Sequence, residues 1–152
     1  GKEKSVKIME TSFGKIAPIV CYESVFSGFV AEQSRLGAEL LCVITNDGWW
    51  KDTPGYKQHF SFARLRAIEN RKWLVRSANT GKSGVISATG KVIKETEWWV
   101  PDAISAKVQL LKGSTNFAKH GDFLGRSSAF LAIFIFVFAL SKIVKPRSKE
   151  KS

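Results

Sequence analysis

The sequence is poor in the residues that build cross-linked or metal-stabilised folds. Two cysteines, Cys21 and Cys42, are too few for a disulfide scaffold in a chain of 152 residues. The two histidines, His59 and His120, have no partners at metal-ligand spacing, and we interpret them as hydrogen-bonding residues. We therefore expect no metal site and no cofactor. A hydrophobic fraction of 44% excludes a disordered chain and fits one domain with a sizeable core.

Acidic residues are scarce, since 13 Asp and Glu face 24 Lys and Arg and leave a formal net charge of +11. Part of this excess lies at the C-terminal end of the chain, which supplies a net charge of +4 after Leu140. The charges there are Lys142, Lys145, Arg147, Lys149 and Lys151 against Glu150. The other charges are dispersed and form no continuous basic stripe, so we expect no nucleic-acid partner.

One long apolar segment precedes the basic tail. Residues 123–144 read FLGRSSAFLAIFIFVFALSKIV, and as a helix at about 1.5 Å per residue they would reach across a hydrocarbon layer of ~30 Å. A buried core helix is the competing interpretation, but core helices seldom present Phe and Ile on all sides. We therefore predict a transmembrane helix at 122–144. The positive-inside rule places the tail, 145–152, in the cytoplasm and everything before Phe123 on the other side of the membrane.

The remaining sequence alternates between apolar runs and helical patterns, which is typical of an α/β layered sheet. Turn signals such as Asn46-Asp47-Gly48 and Ala88-Thr89-Gly90 separate the runs. The predicted strands are residues 15–20, 39–45, 73–77, 83–87, 91–96 and 104–110, and the predicted helices are residues 24–36 and 56–71.

The two cysteines occupy different positions in this pattern. Cys21 lies where a buried strand turns into a helix, so we expect its thiol at the carboxyl edge of the sheet, where a helix N-terminus stabilises a thiolate. Without further information, a small buried apolar residue is the competing interpretation of Cys21. Cys42 lies in the middle of an apolar strand, where that interpretation is the better one. A disulfide between them would quench the nucleophile, and we do not expect it.

Four segments identify a resemblance to a known family. The strings IVCYESVF, TNDGWW, ARLRAIENRKWLVRSANTG and a hairpin centred on ATGKV occur in order between residues 15 and 110. In this order and spacing they resemble the nitrilase, or carbon–nitrogen hydrolase, superfamily. The resemblance implies that residues 1–121 are the C-terminal part of a nitrilase-like α-β-β-α sandwich, followed by the membrane helix.

Further details resemble the membrane-bound acyltransferase branch of that superfamily. They are TNDGWW, the string YKQH at 56–59, the string HGD at 120–122 and the apolar helix that follows. The resemblance implies transfer of a fatty acyl chain from a phospholipid to the diacylglyceryl-modified N-terminal cysteine of an apolipoprotein, through a thioester on Cys21. It also implies a bacterial inner membrane protein with its catalytic part on the periplasmic side.

The branch uses a glutamate base and an oxyanion-stabilising lysine together with the cysteine, and both precede the cysteine strand. Glu3, Glu10, Lys7 and Lys15 lie in no matching motif, so these roles are not assigned to them. The chain begins with Gly1 and shows no signal peptide. We therefore expect a fragment that is inactive on its own.

Residues next to Cys21 complete the predicted catalytic set. The resemblance and the turn geometry make the backbone N–H of Tyr22 the oxyanion donor. Glu23 matches an acidic position of the branch and would orient amino groups in the site. A helix N-terminal charge is an equally good interpretation of Glu23. Arg66 and Glu69 are three apart on a predicted helix, and their family match suggests a buried structural pair.

A second set of residues is predicted to bind substrate. Asn46 and Asp47 end a strand at the same edge of the sheet as Cys21, although an Asx turn explains them as well. Trp49 and Trp50, like the Trp pair at 98–99, would enter the headgroup region and receive an acyl chain. Packing in the core is the alternative for these tryptophans.

The sequence leaves three functions open: a membrane-bound acyltransferase, a membrane-anchored amide hydrolase, and a catalytically silent binding module. The first two share Cys21 and differ in whether an amine or water accepts the acyl group. The apolar tether and the tryptophan pairs favour a lipid donor and thus the acyltransferase.

Overall fold

A computed structural model describes residues 6–144 of the chain. The chain forms two compact units, Gly1–Gly121 and Asp122–Ser152, which are described separately. The basic tail at 145–152 lies outside the described residues, as do residues 1–5.

The first unit is built on one sheet of six strands whose spatial order follows the chain, from β1 to β6. Its elements are β1 (Met9–Thr11), β2 (Gly14–Val20), a 3-10 helix (Cys21–Val25), α1 (Ser27–Arg35), β3 (Leu40–Asn46), a second 3-10 helix (Gly48–Trp50), α2 (Pro54–Asn70), β4 (Trp73–Asn79), β5 (Gly84–Ile86), β6 (Val92–Glu95) and α3 (Asn116–His120). Strands β2, β3 and β4 are parallel, and the other neighbours are antiparallel. The predicted α/β fold is confirmed.

The core lies on one face of the sheet. Side chains alternate between the faces of a strand, and one face of β2, β3 and β4 packs with α1 and α2 into a single apolar cluster. Its members are Ala17, Ile19, Val30, Ala38, Leu41, Val43, Phe60, Ala63, Ala67, Leu74 and Ile86. On the opposite face, the paired residues Val20 and Ile44 are 60% and 62% exposed.

Two predicted elements differ from the structure. The predicted helix at 24–36 is divided at Phe26, whose backbone is extended with φ −85° and ψ 99°, so a 3-10 turn and α1 replace one helix. The predicted strand at 104–110 is wrong, because this segment has no ladder partner among the described residues. Alternate residues of the segment are half-buried, and this period-2 burial, without sheet hydrogen bonds, produced the strand-like pattern.

A buried lysine fixes the chain that follows this segment. Lys72 is 1% exposed, and its Nζ donates to the carbonyl oxygens of Leu111 and Gly113, the latter at 2.7 Å. Burial lowers the pKa of the Lys72 ammonium. Nearby, Thr115 Oγ1 donates to the carbonyl of Glu69 at 2.6 Å. These bonds tie residues 111–115 to the end of α2 and the start of β4.

The second unit is one helix, α4 (Phe123–Val144), of 22 residues. Its bounds agree with the predicted 122–144 to within one residue. Its Phe123–Lys142 stretch has a mean hydropathy of 2.1 and none of it is buried. By length and composition, α4 is able to cross a membrane.

Candidate active site

Cys21 occupies a sharp turn at the carboxyl end of β2. It is the first residue of the 3-10 helix, and its φ of +51° lies in the left-handed region. Non-glycine residues adopt this region at a free-energy cost, which proteins tolerate mainly at functional sites. The thiol is half-buried, and Thr45 Oγ1, on the neighbouring strand β3, donates to Cys21 Sγ at 3.3 Å. The structure thus presents the predicted nucleophile at the carboxyl edge of the parallel strands.

A buried hydroxyl connects the Cys21 backbone to a histidine. Ser24 is 1% exposed, and its Oγ donates to the Cys21 carbonyl at 2.8 Å. The same Oγ lies 3.0 Å from Nε2 of His59, which is 3% exposed on α2. Sequence reasoning predicted a hydrogen-bonding role for His59 but did not identify its partners.

Asp47 continues this chain of contacts. His59 Nδ1 lies 2.9 Å from Asp47 Oδ1, and Arg76 Nη2 donates to Asp47 Oδ2 at 2.6 Å. Asp47 is 0% exposed, and its expected role in binding substrate stays a prediction. A carboxylate is buried here because a guanidinium and an imidazole are both within hydrogen-bond distance of it. Asp47 is therefore the buried hydrogen-bond partner that joins His59 to Arg76.

Arg76 is the residue that sequence reasoning missed. It projects from the middle of β4 toward the helix-covered face, and its side chain is 0% exposed. Burial lowers the pKa of its guanidinium, while the charges of Asp47 and Cys21 act in the opposite direction. Its Nε and Nη1 are buried without a hydrogen-bond partner. A basic residue at a core position of a buried strand was the available signal.

The neighbours of Cys21 have more local contacts. Glu23 Oε2 accepts a hydrogen bond from the Val20 backbone N–H at 2.7 Å, which corresponds to the helix N-terminal interpretation of this residue. Tyr22 is 52% exposed, and its N–H belongs to the first turn of the 3-10 helix, where such groups have no partner within the helix. Asn46 Oδ1 accepts from the Gly48 N–H at 3.0 Å, which is the Asx turn.

The two predicted substrate-binding tryptophans differ in environment. Trp49 is 82% exposed, whereas Trp50 is 39% exposed and its ring covers Gly55, where an added Cβ would lie 2.5 Å from the ring. A cavity of about 150 Å³ lies between the Trp50 ring and the 3-10 helix that Cys21 begins. It is lined by Tyr22, Val25, Trp50, Gly55, Gln58, His59 and Phe62.

Other candidate residues lie outside this cluster. Cys42 is half-buried within β3, where burial raises the pKa of its thiol, and both cysteines are free. Arg66 Nη2 and Glu69 Oε1 lie 3.2 Å apart, in a pair of which Arg66 is buried and Glu69 half-buried. His120 is exposed. No group of three His, Cys, Asp or Glu side chains suited to a metal occurs in the described part of the chain.

The chain is similar to known proteins over most of its length. A family model described as carbon–nitrogen hydrolase matches residues 1–113. An apolipoprotein N-acyltransferase from Chlorobaculum tepidum is 38% identical over 125 residues, which cover 80% of this chain and 24% of that protein. One from Haemophilus ducreyi is 37% identical over 134 residues, covering 87% of this chain and 26% of that protein. The chain thus spans about a quarter of the length of these relatives.

Solved structures share the fold. A carbon–nitrogen hydrolase from Helicobacter pylori superposes with a TM-score of 0.58 at 18% identity, over 62% of this chain and 40% of that one. Nit3 from Saccharomyces cerevisiae, a member of branch 10 of the nitrilase superfamily, superposes with a TM-score of 0.56 at 20% identity, over 65% of this chain and 39% of that one.

Proposed function

We propose, from the premise that this chain belongs to the carbon–nitrogen hydrolase family, that it carries the nucleophile of a membrane-bound acyltransferase. The proposed reaction moves a fatty acyl chain from a phospholipid to the N-terminal amine of an apolipoprotein. The observation that carries the proposal is the position of Cys21, whose thiol lies at a strained turn at the sheet edge and contacts Thr45.

The proposed reaction has two steps on the same sulfur. The Cys21 thiolate attacks the ester carbonyl of the phospholipid, the carbon–oxygen bond breaks, and the lysophospholipid leaves as an alcohol with a proton taken from water. The amine then attacks the thioester carbon, the carbon–sulfur bond breaks, an amide forms, the amine returns a proton to water and the thiolate is regenerated. During both steps the Tyr22 N–H donates to the oxyanion of the tetrahedral intermediate.

The lipid nature of the donor is supported by three features. The chain has a helix, α4, that is long and apolar enough to cross a membrane. The apolipoprotein N-acyltransferases that it resembles are named for an acyl transfer to lipoprotein. Trp49 exposes most of its ring close to the catalytic edge, as a side chain that enters lipid headgroups would. Glu23, Asn46 and Trp50 are proposed to shape the site around Cys21.

The proposed topology follows from charge. Basic residues concentrated after α4 favour a cytoplasmic tail. With α4 crossing the bacterial inner membrane once, the unit that carries Cys21 would lie on the periplasmic side. Reaction of a membrane-impermeant thiol reagent with Cys21 in intact spheroplasts, in a Cys42→Ser background, tests this orientation.

The function is tested with the protein as its gene encodes it, purified in detergent. We expect Cys42→Ser to form a hydroxylamine-sensitive acyl adduct from a phospholipid and to acylate a diacylglyceryl peptide, with mass spectrometry as the readout. Cys21→Ser should do neither. Acylation by the Cys21→Ser variant would remove Cys21 from the mechanism, and release of free fatty acid without peptide acylation would instead identify a hydrolase.

A further inference from the structure

Beneath Cys21 lies a closed chain of buried polar groups that the proposed acyl transfer does not itself use. It runs from the Cys21 carbonyl through Ser24 and His59 to Asp47 and Arg76. Its side-chain members are between 0% and 3% exposed, apart from the half-buried cysteine. Buried polar chains of this kind are retained where they fix a geometry or a charge.

The hydrogen inventory of this chain bears on the protonation of His59. Ser24 has one hydroxyl hydrogen, and the 2.8 Å contact with the Cys21 carbonyl is a hydrogen bond only if Ser24 donates it there. His59 Nε2, 3.0 Å from the same oxygen, then completes a second bond as a donor. His59 Nδ1 lies 2.9 Å from a carboxylate oxygen of Asp47, to which it can donate, and 3.2 Å from Arg76 Nη2, from which it can accept. The contacts with Ser24 and Asp47 are all hydrogen bonds at once when both ring nitrogens of His59 carry hydrogen.

With His59 protonated, the buried charges of the cluster do not balance. Arg76 and His59 would each contribute one positive charge and Asp47 one negative charge, which leaves one positive charge. The groups that face His59 are Ser24 and Tyr22 from the 3-10 helix, Asp47 after β3, and Arg76 on β4. A thiolate at Cys21, whose sulfur contacts the same Thr45 hydroxyl as Asp47, would make this set neutral.

Arg76 has donors to spare in this cluster. Its side chain is fully buried, and its Nε and Nη1 have no hydrogen-bond partner. Buried guanidinium donors favour a nearby anion or polar acceptor. The charge of Cys21 acts on Arg76 in addition to that of Asp47.

We propose that Ser24, His59, Asp47 and Arg76 form a positioning device for Cys21, which holds its strained backbone through the carbonyl and supplies a net positive charge to its thiolate. The proposal rests on the proposed role of Cys21 as nucleophile. It adds a source of thiolate stabilisation within this chain, independent of any lysine elsewhere in the catalytic site. These are positioning residues, because none of them touches the acyl group.

The first test measures His59 directly in the full chain in detergent micelles, labelled with ¹⁵N-histidine. The sequence has two histidines, so His120→Gln leaves a single set of ring signals, which belongs to His59. We expect both ring nitrogens to be protonated at pH 7. A single protonated nitrogen would overturn the proposal without any change to the buried cluster.

The second test measures the alkylation rate of Cys21 by iodoacetamide at pH 7 in a Cys42→Ser background, since the thiolate is the species that reacts. We expect His59→Gln and Arg76→Met to slow alkylation by about tenfold, the effect of about one pH unit in thiol ionisation. Arg76→Lys, which keeps the charge, should restore the rate to within about threefold of the parent's.

Matched controls separate charge from damage to the fold. Ser61→Ala removes an exposed hydroxyl that makes a similar bond to a backbone carbonyl on α2, and should leave the rate unchanged. An unchanged rate in His59→Gln, or a rate in Arg76→Lys as slow as in Arg76→Met, would overturn the proposal. Neither test uses an acyl donor, so a protein that passes both and transfers no acyl chain would refute only the proposed function.

Discussion

The left-handed backbone of Cys21 predicts an unusual order of stability among variants at this position. Its φ is +51°, where a residue with a Cβ is strained by about 1–2 kcal/mol and glycine is not. Glycine at an ordinary position instead lowers stability by about 0.5–1 kcal/mol relative to alanine, because its unfolded chain has more freedom. At position 21 the relief of strain exceeds this loss. We expect Cys21→Gly to be more stable than Cys21→Ala by about 0.5–1 kcal/mol.

Cys42 provides the matched control, since it lies within β3, in the interior of the parallel sheet. Strand interiors lose stability when alanine is replaced by glycine. We therefore expect Cys42→Gly to be less stable than Cys42→Ala by about 0.5–1 kcal/mol, the opposite sign from position 21.

The assay is urea unfolding in detergent micelles, followed by the fluorescence of the five tryptophans. The free energy of unfolding is compared between the alanine and glycine variants at each position, with equal m-values as the condition for comparison. Helix α4 stays in the micelle in both states, so its contribution cancels. A glycine variant less stable than its alanine partner at position 21, as at position 42, would refute the claim of stored strain.

Three further predictions concern buried groups. Lys72→Met should lower the free energy of unfolding by about 1–3 kcal/mol, because the carbonyls of Leu111 and Gly113 lose the buried ammonium that donates to them; urea denaturation measures this, and an unchanged midpoint would contradict it. Burial raises the pKa of Glu69 despite its contact with Arg66. The folded state therefore binds a proton at Glu69 more tightly than the unfolded state does. The stability that this group contributes falls as the pH rises from its unfolded pKa through its folded pKa. Glu69→Gln should flatten that fall in a pH series of unfolding curves, and an identical slope would show that Glu69 is not its source. Burial also raises the pKa of the Cys42 thiol, so in a Cys21→Ser background iodoacetamide should react with Cys42 more slowly at pH 7 than it does with a denatured chain; equal rates would contradict this.

Much of the fold was predictable because its signals are local. The apolar runs of β2, β3 and β4 and the pattern of α2 depend on residues within one element, and their predicted positions agree with the structure. Segment 104–110 shows where this reasoning fails. Its alternation reports which side chains are half-buried, whereas a strand also requires a neighbouring backbone with which to pair.

The candidate site was likewise predictable in its local features and not in its long-range contacts. The motif around Cys21 predicted its place at the sheet edge, because a strand that turns into a helix projects its last residues there. No local pattern indicates that Arg76 reaches Asp47, 29 positions away, or that His59 lies between Asp47 and Ser24. These contacts depend on the register of β3 with β4 and on the packing of α2 over both strands.

By itself, the sequence determined the order of the elements, the membrane-length helix and the placement of Cys21 where a strand turns into a helix. The tertiary structure alone decided what surrounds that cysteine. A charge in a buried strand is unfavourable until a specific partner meets it, and which partner does so depends on packing between elements distant in the chain. That is why only the structure shows Asp47 as the buried counter-ion of Arg76.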